Sequence, residues 1–313
     1  MTSWWDIPNK DNIKPVDYLK EHGGTTNDAQ MAELLSELAS KTVSLASVTQ
    51  KRHSLGIMKP KWGVKFVESQ HPKLDGCITV ETDNALVISD LHIQFQDAGW
   101  LERVVAFAQR HNIHICIIAG DLVDLTVLST FVPSVLGAGA ATPTLDGELE
   151  DVSNTIAILL TVFDEVIILL GNHEIRLARK LGNTTVTVFK RTLGADSEHV
   201  RVSEYHYCII QSSYEPWRIT HPRNASAIPV RVASQLADKY RMNVVAAHGH
   251  DWGMTTSVSG YYACACGMIA DPERIDYTNY IDNTRPFMAQ GAWALVEGEP
   301  ILLHPKWAKP ENL

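Results

Sequence analysis

Val87-Ile88-Ser89-Asp90-Leu91-His92 is an apolar run of strand length that ends in a carboxylate and an imidazole two positions apart. Three later stretches repeat the design. Ile115-Cys116-Ile117-Ile118-Ala119-Gly120-Asp121 ends in Asp121, and Val166-Ile167-Ile168-Leu169-Leu170-Gly171-Asn172-His173 ends in an amide and an imidazole. Val244-Val245-Ala246-Ala247-His248-Gly249-His250 ends in two histidines. Each is a buried-strand signal followed at once by hard or borderline metal ligands. An open α/β sheet builds its site at the carboxyl ends of its strands, so the four stretches together imply a two-metal hydrolytic centre.

The 313 residues allow one large domain or a main domain with an appendage, and 45% hydrophobic with 20% charged residues is ordinary for a globular chain. No apolar run reaches membrane-spanning length. The start, Met1-Thr2-Ser3-Trp4-Trp5-Asp6, lacks the basic flank and apolar centre of a secretory signal. Cys77, Cys116, Cys208, Cys264 and Cys266 are odd in number and scattered, which suits a reducing cytoplasm better than a disulfide framework. The net charge of −9 is uneven: residues 1–80 hold ten Lys/Arg and nine Asp/Glu, the remainder 17 and 27. An acidic catalytic region argues against a broad nucleic-acid groove, except that bound cations would neutralise some of its carboxylates.

Taken in order, residues 1–27 are polar and broken by Pro8, Pro15 and Gly23-Gly24, and read as an arm with little structure. Met31, Leu34, Leu35 and Leu38 then form a helical stripe after the cap candidates Thr26-Asn27-Asp28, and a second helix is expected over Leu45–Arg52. With Lys51, Arg52, His53, Lys59, Lys61 and Lys65 these helices are either a small helix-turn-helix or, favoured, a helical hairpin that packs on the main domain or on a partner subunit. The expected organisation is an N-terminal helical segment over 1–76 and a catalytic domain over 77–313.

Within the latter, Ile78–Val80 and Ala85–Ser89 read as a hairpin around Asp83-Asn84. A helix over Trp100–Arg110 makes a βαβ unit with the Asp90 and Asp121 strands. Val152–Val162 reads as the next crossover helix, and Phe131-Val132-Pro133 as a lid or substrate loop. Helices are expected over Ile175–Leu181, Thr184–Leu193 and Val230–Tyr240. Strands are expected over Val200–Val202, Tyr205–Gln211, Trp217–Thr220 and Val244–Ala247, and a final hairpin around Glu297-Gly298-Glu299.

Alone, Asp-x-His is common and a strand-end histidine is more often a structural hydrogen-bonder. In combination, Asp90-x-His92, Gly120-Asp121-x-x-Asp124, Gly171-Asn172-His173-Glu174, His221 and His248-Gly249-His250 occur in one order, all but His221 behind a strong strand signal. This set resembles the calcineurin-like metallophosphoesterase superfamily over roughly residues 85–305. The resemblance implies a four-layer αββα sandwich with two stacked sheets. It implies one metal on Asp90, His92, Asp121 and His250, and a second on Asp121, Asn172, His221 and His248, bridged by Asp121. It makes His173 the non-ligand histidine that contacts the phosphate or protonates the leaving group, and Asp124 the carboxylate that orients it. The stretch from Ser257-Gly260-Tyr261-Tyr262 to Gly291-Ala292-Trp293 is also similar to phage- or prophage-encoded members.

Carboxylate, amide and imidazole donors without thiolate form a borderline-hard set, suited to two divalent ions, Mn²⁺ foremost and Fe, Zn²⁺ or Mg²⁺ as alternatives. Such a pair can share a hydroxide and clamp phosphoryl oxygens, and an outlying histidine can protonate the leaving alkoxide. Cys264 and Cys266, two apart on a strand, read as core. Arg176 reads equally as a phosphate contact or a surface residue, and His206 and His199 are substitutes for His221. The Ser/Thr phosphatase branch has Arg where Leu125 stands and Gly where Ile93 stands, which argues against protein phosphatase activity. The expected activity is hydrolysis of phosphomono- or phosphodiester bonds. DNA is the specific candidate substrate, small nucleotides are the runner-up, and a catalytically silent metal-binding scaffold is the alternative from another class.

Overall fold

In the computed structural model, which describes residues 3–58, 76–125, 144–180, 190–191, 197–275 and 288–306, the chain divides into two units, Met1–Leu74 and Asp75–Leu313. The expected arm over residues 1–27 is instead partly helical. Helix α1 (Pro15–His22) has Pro15 in its first turn, where a missing N–H costs nothing, and Gly23 as its C-cap. The residues read as breakers bracket a helix.

Asn27 caps α2 (Asp28–Leu38), its side chain accepting from Gln30 N at 2.7 Å. Ser44 caps α3 (Leu45–Leu55), which ends at the left-handed Gly56. Leu19, Met31, Leu35 and Val48 meet in the core of this unit. Arg52 is only 1% exposed: its Nε lies 2.7 Å from Asp28 Oδ1, and its Nη2 donates to Thr26 O. Of the basic residues noted in the sequence, Arg52 is therefore spent inside the fold, and Lys59, Lys61 and Lys65 lie outside the described residues. Arg52→Ala takes away the cation beside a buried carboxylate. It is expected to cost about 3 kcal/mol, read as a lower midpoint for unfolding of this unit; an unchanged midpoint would contradict that role.

The second unit is two stacked six-stranded sheets. One has the order β12-β11-β2-β3-β4-β5, with β2 (Ala85–Ile88), β3 (Ile115–Ile118), β4 (Glu165–Ile168) and β5 (Val200–Val202) parallel. β11 (Ala292–Val296) and β12 (Glu299–Leu303) form the hairpin that the sequence predicts, and β11 pairs antiparallel with β2. The other sheet has the order β1-β6-β7-β8-β10-β9, built from β1 (Thr79–Glu81), β6 (Tyr207–Gln211), β7 (Trp217–Thr220), β8 (Asn243–Ala246), β9 (Trp252–Thr256) and β10 (Tyr262–Cys266).

One expectation fails here. β1 and β2 do not form a hairpin: β1 pairs in parallel with β6, and β2 joins the other sheet. The turn between them, in which Thr82 Oγ1 takes the Asn84 N–H at 3.0 Å, carries the chain from one sheet to the other. Val80 and Val87 then bury in the same core from opposite sheets.

Side-chain alternation makes the layers. Val87, Ile117 and Ile167 point between the sheets to meet Ile219, Val245, Cys264, Cys266 and Trp293. Leu86, Ile88, Cys116, Ile118, Val166 and Ile168 point outward under Trp100, Val104 and Phe107 of α4 (Ala98–Arg110) and Val152, Ile156 and Leu159 of α5 (Leu145–Leu159). Asp97 caps α4. Thr144 caps α5, which begins earlier than its apolar stripe because its first turn is acidic. On the other outer face, Ala233 and Ala237 of α7 (Arg231–Tyr240) cover Val244, Ala246 and Ala263.

Helix α6 (Asn172–Lys180) starts directly at the Gly171-Asn172 corner. The expected lid around Phe131 and most of the helix expected over Thr184–Leu193 lie outside the described residues. No described helix is long and apolar enough to cross a membrane.

Candidate metal centre

The carboxyl ends of β2, β3, β4, β7 and β8 converge, and the residues just past them form the site. The turns there are sharp. Asp90, His92, Asp121, Leu125, His248 and His250 all have φ between 42° and 70°, the left-handed region that costs a non-glycine residue roughly 1–3 kcal/mol. The ladder hydrogen bonds Asp90 N to Gly120 O, His92 N to Asp121 O and Ala247 N to Thr220 O hold the chain there. Gly171 permits the closest approach, since a Cβ there would collide with the Asp121 carboxylate.

Among the described residues, three groups of donor atoms, each within 4.8 Å of one another, result: Asp90, His92 and His250; Asp121, His221 and His248; and His92, Asp121 and His173. His92 Nε2 is 3.4 Å from His250 Nε2, which lies 3.0 Å from Asp90 Oδ1. Across the site, His221 Nε2 is 3.1 Å from Asn172 Oδ1 and 3.4 Å from Asp121 Oδ2. Asp121 belongs to two of the groups, one with His92 and His173 and one with His221 and His248. His221 is 2% exposed and points inward, its Nδ1 fixed by Ala119 O at 2.9 Å. The two substitutes for it point away, His206 Nδ1 to Leu170 O and His199 Nδ1 to Asp164 O.

These residues suit cations on their own evidence. Asp90 Oδ1 is buried without a hydrogen bond, although His250 Nε2 is within reach; a carboxylate lone pair facing imidazole nitrogens is stabilised by a shared positive ion. Charge balance points the same way. Burial opposes charging the imidazoles, yet Asp124 and Asp121 push His92 up to about 8, and Asp121 pushes His221 up to about 10. Burial likewise opposes ionising the carboxylates, yet His250 brings Asp90 down to about 2 and His221 holds Asp121 well below the usual range. His173 and His248, by contrast, are pushed down to about 4, chiefly by burial. The buried acids thus favour positive charge at this spot.

His173 is 6% exposed and is held on two sides. Its N–H donates to Asp121 Oδ1 at 3.0 Å, and its Nδ1 lies 2.5 Å from Asp124 O. A carbonyl only accepts, so Nδ1 carries the hydrogen and Nε2 is the nitrogen left to face the site. The Asp124 carboxylate itself is nearer His92 Nδ1, at 3.0 Å, than His173 Nδ1, at 3.6 Å. The link from Asp124 to His173 thus runs mainly through the main chain, a difference from the side-chain orientation that the resemblance implies. Arg176 is half-buried, with Nη1 3.3 Å from His173 Nδ1.

Two further acids hold the frame: Glu174, quoted above in its motif without a role, and Glu148, which the sequence did not single out. Glu174 accepts four N–H groups, those of Asp121, Leu122, Val123 and Gly171, at 2.7–3.2 Å. Its burial and the neighbouring Asp121 push it up to about 7. Glu148 accepts the N–H groups of Asp124 and Leu125 at 2.6 and 2.8 Å. The role of Glu174 could have been suspected from its place as an acid in the first turn of α6; Glu148, on the far helix α5, leaves no local signal. Met288 Sδ, 3.3 Å from His250 Nδ1, was also missed.

A family model described as calcineurin-like phosphoesterase matches residues 84–311. Among solved structures, the chain is similar to Yfce, a phosphoesterase from E. coli, with 13% identity over 68% of this chain and 87% of that one and a TM-score of 0.35. It is also similar to Vacuolar Protein Sorting 29 from Cryptosporidium parvum, with 13% identity over 71% and 95% and a TM-score of 0.37. No curated protein matches the chain.

Proposed function

Because the chain belongs to the calcineurin-like phosphoesterase family, we propose that it hydrolyses phosphomono- or phosphodiester bonds with the help of two divalent cations. The observation that carries this reading is the buried Asp121, which falls in one donor group with His92 and His173 and in another with His221 and His248. Asp90, His92, Asp121 and His250 would hold one ion, and Asp121, Asn172, His221 and His248 the other. Mn²⁺ heads the candidates, since the donors are oxygen and imidazole without thiolate. When bound, two such ions activate water and neutralise phosphoryl charge.

The protein's own part is positioning and proton transfer. Asp124 O holds Nδ1–H of His173 and the Asp121 carboxylate holds its main-chain N–H, so the ring cannot turn away. As the bond from phosphorus to the leaving oxygen breaks, that oxygen needs a proton; Nε2 of His173, bare in the neutral ring, first takes one up from water and, as the imidazolium, delivers it. Arg176, beside His173, would bring positive charge to the phosphate.

His173→Ala tests the assignment. It is expected to keep the metal content of the parent and to lower kcat on a chromogenic phosphoester by about 10²- to 10³-fold. Intact turnover would remove His173 from the reaction. A parent that binds metal and turns nothing over would favour the scaffold instead.

A further inference from the structure

An open groove of about 830 Å³ begins at Asn172 and His221 and runs across β6, β7 and α7. The mechanism above uses only its inner end. Besides aliphatic and neutral polar side chains, the rest of the lining carries Tyr205, Tyr207 and Tyr240 and the cations Arg218, Arg223 and Lys239. The Arg218 guanidinium lies 3.4 Å from the Tyr207 ring centroid and 4.0 Å from that of Tyr240, a pile of ring, cation and ring. Lys239 Nζ sits 5.0 Å from the other partner of the pile, Tyr240, which is 39% exposed.

Arg218, Arg223 and Lys239 share the described lining with one carboxylate, Glu204, and none of the three forms an ion pair among the described residues. In a chain of net charge −9, a cationic wall at this spot calls for an anionic occupant. The rings call for a planar one.

We propose that this groove receives the nucleoside part of the substrate, so that the phosphoester bond presented to the centre belongs to a nucleotide. The proposal rests on the hydrolase reading and names its substrate class. A base has a π-face whatever its sequence and can stack on the exposed ring of Tyr240. The volume lies within the range of small-ligand sites. A sugar phosphate or inorganic phosphate would use the cations and leave the rings idle.

The test is calorimetric titration of the Mn²⁺-loaded full chain with non-hydrolysable phosphonate analogues of thymidine 5′-monophosphate and of deoxyribose 5-phosphate. The nucleotide analogue is expected to bind about tenfold tighter, the lower end of stacking on one base. Tyr240→Ala should abolish that preference and leave the affinity for the sugar analogue unchanged. Tyr240→Leu, which keeps apolar bulk but removes the ring, is a second variant that should act alike, should Tyr240→Ala misfold. Equal affinity of the two analogues, or equal weakening of both by the substitutions, would overturn the proposal. An oligothymidylate phosphonate that binds tighter than the monomer assigns a strand as the source, and equal binding assigns free nucleotides. Base preference without hydrolysis of any phosphoester would sink the hydrolase reading and keep the groove; hydrolysis without base preference would do the reverse.

Discussion

Asp121→Ala is expected to lose both the paired ions and the activity. Its Oδ2 lies 3.4 Å from His221 Nε2, and its Oδ1 accepts the His173 N–H at 3.0 Å. One substitution therefore removes the carboxylate that both candidate ions would share and one of the two bonds that fix the proton donor. If shared coordination supplies several kcal/mol of transition-state stabilisation, a loss of roughly 4 kcal/mol corresponds to about 10³-fold in kcat/KM. Metal analysis of desalted protein should show fewer than two equivalents, alongside the fall in turnover. Asp121→Asn separates the two roles, because the amide oxygen can still accept from His173 while the charge is gone. Two tightly held ions and near-parental turnover in Asp121→Ala would contradict the bridging assignment.

Glu174→Ala is expected to be the most destabilising substitution in the second unit. Its carboxylate collects four N–H groups from two strand-end turns, and Glu174 is 2% exposed. No water has easy access to replace it. Each buried N–H left without an acceptor costs about 1–3 kcal/mol, so a loss of at least about 4 kcal/mol is expected. That is a large part of the roughly 5–15 kcal/mol stability of an ordinary domain. Glu174→Gln retains one oxygen and should fall between the two. Urea unfolding of the three proteins checks the order, and a loss under about 1 kcal/mol in Glu174→Ala would show that these turns hold themselves.

What the sequence reveals here is what is local. Asp90, His92, Asp121, Asn172, His173, His248 and His250 stand directly behind apolar runs, so strand and ligand are legible in a single window. Helix α4 and the last hairpin were legible for the same reason. Pairing is not local: nothing in Thr79–Ile88 says that its two strands enter different sheets, and the Asp83-Asn84 turn looks the same in either arrangement. Helix α1 was hidden because Pro15 and Gly23 serve equally as breakers and as end signals. Glu148 was hidden because it acts on the backbone of a distant segment. The groove was beyond reach in principle, since Tyr207, Arg218 and Tyr240 come from three elements that meet only in the fold.

The central claim is that the buried acids and imidazoles hold two divalent ions for phosphoester hydrolysis. Stepwise addition of Mn²⁺ to chelator-stripped protein, with bound metal and cleavage of paired chromogenic mono- and diesters followed together, tests it most directly. The account predicts two equivalents bound and hydrolysis that appears only as the second equivalent fills. Turnover by the stripped protein, or saturation with Mn²⁺ and no cleavage of either ester, would contradict it.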